Sequence, residues 1–575
     1  MKNPFPVRPD TWEAIDDLGR ALPTGDVTGP RRDRAVGLFY WTWHNSPGGK
    51  AVNVDKIIKE HPDAVFDYNH PVWQGIHGGH WDEPVFGYYK SYNKWVLRRH
   101  AEMLADAGVD VVIFDNTNGV SVWEESYMAL AETFSAARAD GVNAPQMAFL
   151  LPLHMGDPKN NENCRVQLRS IYQKFYKPGL YPDMWYKWQG KPLILGYPDG
   201  LNPDEPLERE ILEFFTFRPV QPSYVAGQTR PDHWGWLSLY PQKVYTGADG
   251  LPEQMTVGVA QNHSQRIGLT AMSAPNAFGR TYTSKGFDTS PDAVKRGANF
   301  QEQWDYALKV DPKFVFVTGW NEWTAGRYEV WQQIPNAFPD EYNDLNSRDC
   351  EPTKGGLKDA YYYQLCANIR RYKGATPPDK PASPTGLNLD SPLQEWIARA
   401  RGYGAYRGGM EKRDEYGYGD IHYVSDTGRN DIVCAAVSHD SEYVYIMAGC
   451  DRDITRPEGE AWMNLLIRTR ELKPAWEGFQ YIVNRMPPEG DEAYLEDCAG
   501  GWSWKLSEKL ACRLDADWFV VRIPRRALGL DTPRFSFFFK WTDNTLKGGD
   551  MMTVYTDGDA APGGRFMYRY DGTDE

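Results

Sequence analysis

Cysteine is scarce in this chain: seven residues in 575, none of them in a CxxC pair. That excludes a zinc knuckle or a disulfide framework, although a pair such as Cys498 and Cys512 stays available to bridge. Long apolar runs are missing too, and nothing approaches the ~20 residues that span a bilayer. Basic residues do not dominate: 63 Lys and Arg stand against 78 Asp and Glu, for a net charge of −15. General binding to nucleic acid or to an anionic membrane is therefore not expected, because both need basic surface. The opening stretch MKNPFPVRPDTWEAIDDLG lacks the apolar core of a secretory signal. The chain is expected to be cytoplasmic as written, or secreted or periplasmic where a signal has been removed. Catalytic signatures are absent as well. No GxGxxG or GxxxxGK[ST] follows a strand, and there is no GxSxG elbow, HExxH or Cys/His nucleophile pattern.

What the chain has in abundance is aromatic side chains: 22 Trp, 34 Tyr and 24 Phe, 14% of the residues. Large cores account for some of them. Aromatic faces also stack on the C–H faces of sugars, so carbohydrate handling is the sharper expectation. With 41% hydrophobic residues, the chain can bury sizeable cores.

The residue pattern divides the chain. KGATPPDKPASPTGLNLDSP (373–392) is rich in Pro, Gly, Ser and Thr and has no apolar period, so it reads as a linker. Before it, apolar runs alternate with helical patterns. Strands are expected at 35–43, 109–116, 146–154, 191–197, 215–220, 255–262 and 313–323, and helices at 94–108, 123–141, 164–176, 208–215, 294–310 and 359–372. Strands apolar on both faces and alternating with helices predict a parallel sheet covered on both sides. The length and the long insertions favour an α/β fold of the (β/α)8 TIM-barrel type, although no eighth strand is evident. After the linker, DIVCAAVSHD, YVYIMAGC, WMNLLIRT, FQYIVNR, WFVVRIP and RFSFFFKW are β-rich runs at regular spacing, which predict an antiparallel β-sandwich domain. The expected organisation is an N-terminal extension (1–34), a catalytic barrel (35–375), a linker (376–392) and a sandwich (393–575).

In such a barrel the site lies at the C-terminal ends of the strands. The residues expected there are Trp41, Trp43, His44 and Asn45 from the first strand, Asp115, Asn116, Thr117 and Asn118 from the second, and His154 from the third. Tyr197 and Asp199 follow the fourth strand, Arg218 lies on the fifth, Gln261, Asn262 and His263 follow the sixth, and Trp320, Asn321, Glu322 and Trp323 the seventh. Sugar hydroxyls need donors and acceptors together, which amides, imidazoles and carboxylates supply. Glycosidic cleavage needs two carboxyl groups, one to protonate the leaving oxygen and one to attack or to activate water. Asp115 and Glu322 are the best-placed pair. Glu322 sits between two indoles in WNEW, where desolvation raises a carboxyl pKa towards that of a general acid. Glu124 and Glu125 open a helix, which explains them without chemistry, and Glu329 is a candidate to turn inward.

Two insertions add candidates. HGGHWDEPVFGYYKSYN (77–93) carries His77, His80 and Asp82, a weak metal pattern for want of a third clear ligand, so substrate contact by His80 is the expectation. QTRPDHWGWLSLYPQ (228–242) places Arg230, His233, Trp234, Trp236 and Tyr240 in a flap or a sugar-subsite wall.

These motifs resemble a known group. GLFYWTWHN, GYYKSYNKWVLRRHAEMLADAGVDVVIFDN and VTGWNEWTAGRYE, in that order, are similar to the barrel glycoside hydrolases related to families 99 and 71, which include endo-acting α-mannosidases and α-1,3-glucanases. The resemblance covers roughly 35–372. It departs at one position: the family-99 motif carries a second glutamate three residues after the first, and Ala325 stands there. The two-glutamate mechanism and the α-mannoside substrate therefore do not carry over. After the linker, MNLLIRT, WEGFQYIVNR, VVRIPRRALGL, FKWTDN and DGDAAPGGRFMYRY resemble carbohydrate-binding module family 9, with Trp541 and Asn544 as candidates for a ligand face.

The expectation is thus a glycoside hydrolase acting on an oligo- or polysaccharide. Glu322 would be the acid and Asp115 the nucleophile or base, with Trp43, His44, His80, Asn116, Arg218, His233, Trp234, Asn262, His263, Trp320 and Asn321 against the sugar. No cofactor and no metal is implied. The alternatives are a glycan-binding protein without turnover, and a polysaccharide lyase using Arg218, Arg230, His233 and Tyr240.

Overall fold

The computed structural model describes residues 3–24, 27–44, 50–153, 157–409 and 411–575. Asn45 and His154 lie outside them. The first half is mixed α/β. Its parallel-paired strands are β1 (Ala35–Tyr40), β2 (Val111–Asp115), β3 (Gln146–Leu150), β4 (Lys191–Ile194), β5 (Thr216–Phe217), β6 (Val220–Gln221), β7 (Trp234–Gly235), β8 (Pro252–Gly258) and β9 (Phe314–Thr318). β8, β9, β1, β2 and β3 pair side by side, all parallel. Parallel bridges Met147–Trp185 and Leu150–Leu195 carry β3 on to β4, which pairs with β5; β6 pairs with β7, again parallel. Between β7 and β8 a side chain replaces the ladder. The Gln254 amide accepts from Gly235 N–H at 2.7 Å and donates to Gly235 O at 3.0 Å. Backbone pairing is interrupted there because Tyr245–Thr246 pairs with the start of β8.

β7 was not among the strands expected from the sequence. It is two residues long and its apolar signal is one tryptophan. Trp234 is fully buried among Phe39, Ile113, Leu150, Leu193 and Phe316, whose side chains alternate along their strands towards a shared interior. The opposite side of the same strands, including Leu38, Val112, Phe149, Val257 and Val317, packs under the helices.

Helix α1 (Lys94–Ala107) begins at Asn93, whose side chain accepts from Val96 N–H, and stops at Gly108 in a left-handed conformation, φ 82°. α2 (Glu124–Ala139), α3 (Pro158–Ile171), α4 (Pro206–Phe214), α5 (Ala298–Val310) and α6 (Ala360–Lys373) follow. The expected helix 164–176 starts earlier, because Asp157 caps it and Pro158 fits its first turn.

The second half is antiparallel. Eleven strands, from Arg401–Gly404 to Tyr568–Thr573, form one continuous hydrogen-bonded sheet, where two packed sheets were expected. Long strands make this possible. Glu492–Gly500 and Ser503–Asp515 pair with register shifts at Leu495/Glu496 and Cys498/Gly500, which let one sheet coil. Ala435 and Val437 near one edge share a core with Phe537, Phe539 and Trp541 near the other. Trp541 is wholly buried against Phe519, so it is core and offers no ligand face. All seven cysteines are buried and free. Cys498 lies opposite Trp504 and Cys512 opposite Val521, so the two sit far apart along the sheet and cannot bridge.

The expected linker is not loose. Ala382 pairs with Gly572, and Leu387 is buried with Trp396 under the sheet. The stretch before β1 touches both halves. Glu13 pairs with Met567, Trp12 packs on Phe566 and Tyr568, and Asp17 forms ion pairs with Lys295 and Lys358. A hairpin of the second half, Arg413–Tyr416 with His422–Ser425, lies on the loop before α1. There Tyr88 N–H donates to the Tyr423 hydroxyl at 2.7 Å and Tyr418 N–H to Tyr88 O at 2.6 Å. No helix among the described residues is long and apolar enough to cross a membrane.

Candidate active site

Asp115 is the last residue of β2 and is 2% exposed. One carboxylate oxygen accepts from Thr117 N–H at 3.1 Å. Burial outweighs that bond and pushes the Asp115 pKa from 3.8 up to about 6. The Trp43 indole N–H donates to the Asp115 backbone carbonyl oxygen at 2.8 Å, which places a half-buried ring at the end of β2. Trp43 stacks obliquely on Trp41 at 4.4 Å and on Trp123 at 5.2 Å, forming an aromatic wall.

Glu322 follows β9 and is 7% exposed. Asp349 holds its backbone, accepting from Glu322 N–H at 2.6 Å and Trp323 N–H at 2.9 Å. Arg348 Nη2 reaches both carboxylate oxygens of Glu322, at 3.1 and 3.0 Å, and Asp340 at 3.0 Å. Burial raises the Glu322 pKa well above 4.5; Arg348 opposes this, and the charges of Asp340, Asp349 and Asp115 reinforce it. Burial also works against the Arg348 charge, yet Glu322 and Asp340 prevail and hold the guanidinium protonated. Asp115 in turn feels Asp340 and Arg348, so the two expected carboxyls belong to one electrostatic cluster. Tyr224 joins it. Its hydroxyl donates to Asn262 Oδ1 at 2.5 Å, and it also hydrogen-bonds Arg348.

Several expected sugar contacts border this cluster. His44 Nε2 meets Asn321 O at 2.9 Å, and its ring stacks on His80 at 5.5 Å. Burial holds the His80 pKa well below 6.5, and its Nδ1 has no partner among the described residues. Tyr418 of the second half closes on the other side of His80, ring centres 5.5 Å apart. Among the described residues, the buried Oδ1 of Asn116 and the buried Nδ1 of His263 are likewise without a partner.

Others are taken up by the fold. Arg218 forms an ion pair with Glu253 at 2.9 Å, while the indole N–H groups of Trp188 and Trp234 also donate to Glu253. Arg218 and Trp234 are therefore interior structure. His233 Nδ1 meets the Thr229 hydroxyl at 3.0 Å, near Tyr197. Trp320 is fully buried against His100 and Tyr362 under the helices. The Asn321 amide is spent on Trp41 N–H at 2.8 Å and the Tyr89 hydroxyl at 3.0 Å. Trp323 stacks on Trp81 at 5.1 Å, and its indole N–H donates to Glu351. Arg230 pairs with Asp199 and Asp232, and Glu329 is exposed. Asn53 and Glu83 N–H engage Asp82, and among the described residues no group of three His, Cys, Asp or Glu side chains is arranged to hold a metal.

Sequence reasoning missed Tyr224, Asp340, Arg348 and Asp349. All lie in loops without hydrophobic period. The available signal was SRDCE (347–351), three charged residues packed into the loop after β9, on the face where β9 ends.

No family model matches the chain, and no curated protein does. Among solved structures, a GH99 endo-alpha-mannosidase from Bacteroides thetaiotaomicron in complex with BIS-TRIS-propane is similar at 14% identity, over 60% of this chain and 98% of that one, with a TM-score of 0.34. A family 5 glycoside hydrolase from Bacteroides vulgatus is similar at 8% identity, over 90% of this chain and 93% of that one, TM-score 0.25. A beta-glucuronidase from glycoside hydrolase family 2 is similar at 9% identity, over 78% and 45%, TM-score 0.23. These neighbours are glycoside hydrolases, but TM-scores this low decide neither the fold nor the reaction of this chain.

Proposed function

We propose that this chain is a glycoside hydrolase in which eight strands, β1 to β4, β5 and β6 as two stretches of one, and β7 to β9, close a (β/α)8 barrel, and Asp115 and Glu322 flank the scissile bond. The observation that supports this best is the pair of carboxyl groups, both nearly buried and both shifted upward, within one charge cluster beside an aromatic wall. Near neutral pH the arrangement divides their labour. Glu322, whose carboxyl is pushed upward by burial, would act as general acid; Asp115, with a pKa of about 6, would be ionised and serve as nucleophile or base. Arg348 gives the Glu322 anion a counter-charge once its proton has passed to the leaving oxygen. Asp115 takes the place left vacant by Ala325, which is fully buried in a strand paired with Gly78–His80 and leaves no room for a carboxylate. Trp43 would stack on a sugar ring, and His44, His80, Asn116 and Asn262 would meet its hydroxyls. The sheet of the second half is proposed as a carbohydrate-module-like domain that completes the rim through Tyr418.

The test is a comparison of the full chain with Asp115→Asn and Glu322→Gln on a panel of neutral oligosaccharides, read for released sugar and for binding. The proposal expects both variants to bind what the parent cleaves and to lose turnover by about 10³-fold or more. Binding by the parent without cleavage of any panel member would make the chain a glycan receptor instead.

A further inference from the structure

On the face where β8 ends, a cavity of about 150 Å³ lies between the loop after β8 and the first turns of α5. One wall is aromatic. Phe278 and Tyr282 stack face to face at 3.6 Å with planes 2° apart, and Tyr240, 41% exposed, stands at the mouth. The rest is polar. His263, Gln265, Ser284 and Glu302 line it, with Gln261 and Asn299 locked together by reciprocal amide bonds of 3.0 Å as a rigid floor.

Two further observations point to a ligand. The buried Nδ1 of His263 has no partner among the described residues, while its ring packs against Phe278 at 5.4 Å, in the cavity lining. An orphaned buried nitrogen costs stability unless something meets it. The same histidine also connects to the candidate catalytic cluster. Its ring lies 5.7 Å from Tyr224, which bonds both Asn262 and Arg348, and Arg348 holds Glu322.

We propose that this cavity, walled by Tyr240, Phe278 and Tyr282, is a sugar-binding subsite for one neutral pyranose ring of an oligosaccharide. The inference deepens the hydrolase reading and rests on it for the ligand's class. An aromatic face opposite donors and acceptors suits the two sides of a pyranose. Neutrality follows from charge: among the described lining residues there is no Lys or Arg to meet a uronate or sulfate, while the Glu302 carboxylate would repel one. A ring held here while another reaches Glu322 requires a substrate of several linked units.

The test titrates the full chain carrying Glu322→Gln with maltohexaose, cellohexaose, laminarihexaose, α-1,6-mannohexaose and hexagalacturonate by calorimetry. Tyr240→Ala and Tyr240→Trp are then added separately, with thermal unfolding recorded for each. The proposal expects one neutral hexasaccharide to bind, Tyr240→Ala to weaken it at least about tenfold at unchanged unfolding temperature, and Tyr240→Trp to keep it within about twofold. Unchanged affinity in Tyr240→Ala, binding of hexagalacturonate alone, or no binding at all overturns it. Hydrolysis of the same panel by the parent chain separates the two readings. Tyr240-dependent binding without hydrolysis refutes the hydrolase and leaves the subsite standing, and hydrolysis with Tyr240-independent binding does the reverse.

Discussion

Replacing Asp115 by Asn is expected to stabilise the protein at neutral pH while abolishing its turnover. In the folded chain the Asp115 carboxyl titrates at about 6; unfolded, it returns to 3.8. Below pH 3.8 both states hold the proton and the group contributes nothing. Between 3.8 and about 6 the unfolded chain has released its proton and the folded chain has not, so stability falls as pH rises. Above about 6 the full penalty is present. A gap of about 2 units at 1.36 kcal/mol each makes it about 3 kcal/mol. The asparagine of the variant is neutral throughout and its amide oxygen can still accept from Thr117 N–H, so it escapes the penalty. Loss of the Asp115 charge also relieves Glu322, which that charge burdens. Urea unfolding of parent and variant at about pH 3 and about pH 8 measures the effect: near-equal stability in acid, and an advantage of about 3 kcal/mol to the variant in base. An advantage of the same size at both pH values, or a parent that gains on the variant as pH rises, would refute the reasoning.

Two further substitutions separate the site from its scaffold. Arg348→Met removes the guanidinium that contacts Glu322 and Asp340; with no counter-charge left for the Glu322 anion that forms as its proton departs, turnover should fall by about 10²-fold or more, read as released sugar. Arg218→Met leaves Glu253 buried without its cation and should cost about 3–5 kcal/mol, yet leave the affinity of the folded protein for an oligosaccharide unchanged, as calorimetry would show.

How far the sequence could be read followed from where periodicity operates. β1, β2, β3 and β9 are continuous apolar runs buried on both faces, and their positions were legible within a few residues. The expected helix 94–108 matches α1, which Gly108 stops in a left-handed conformation. β7 was hidden, because two residues make no period. Asp115 and Glu322 were legible as acids at strand ends. Which neighbours would join them was not, since residue type says nothing of a partner. Arg218 has the chemistry of a sugar ligand and also that of a counter-ion, and Glu253, distant in sequence, decided between them. Trp320 lies beyond the last residue of β9, where strand alternation no longer says which way a ring points, and it turned to His100. Arg348 came from a loop with no pattern at all. Its position depends on Glu341, Asp340 and Glu322 together.

The stretch before β1 has a consequence for biogenesis. Trp12 and Glu13 leave the ribosome early, but Phe566, Met567 and Tyr568, which they pack against, are translated nearly the whole chain later. Domains generally fold as they emerge, so the parallel-strand half can be complete while this strap still lacks its last partner. Asp17, already able to pair with Lys295 and Lys358, would hold it near its berth in the meantime. Its final docking then reports that the last strands of the antiparallel sheet are in place, and a nascent chain stalled short of them would display Trp12 as a handle for chaperones.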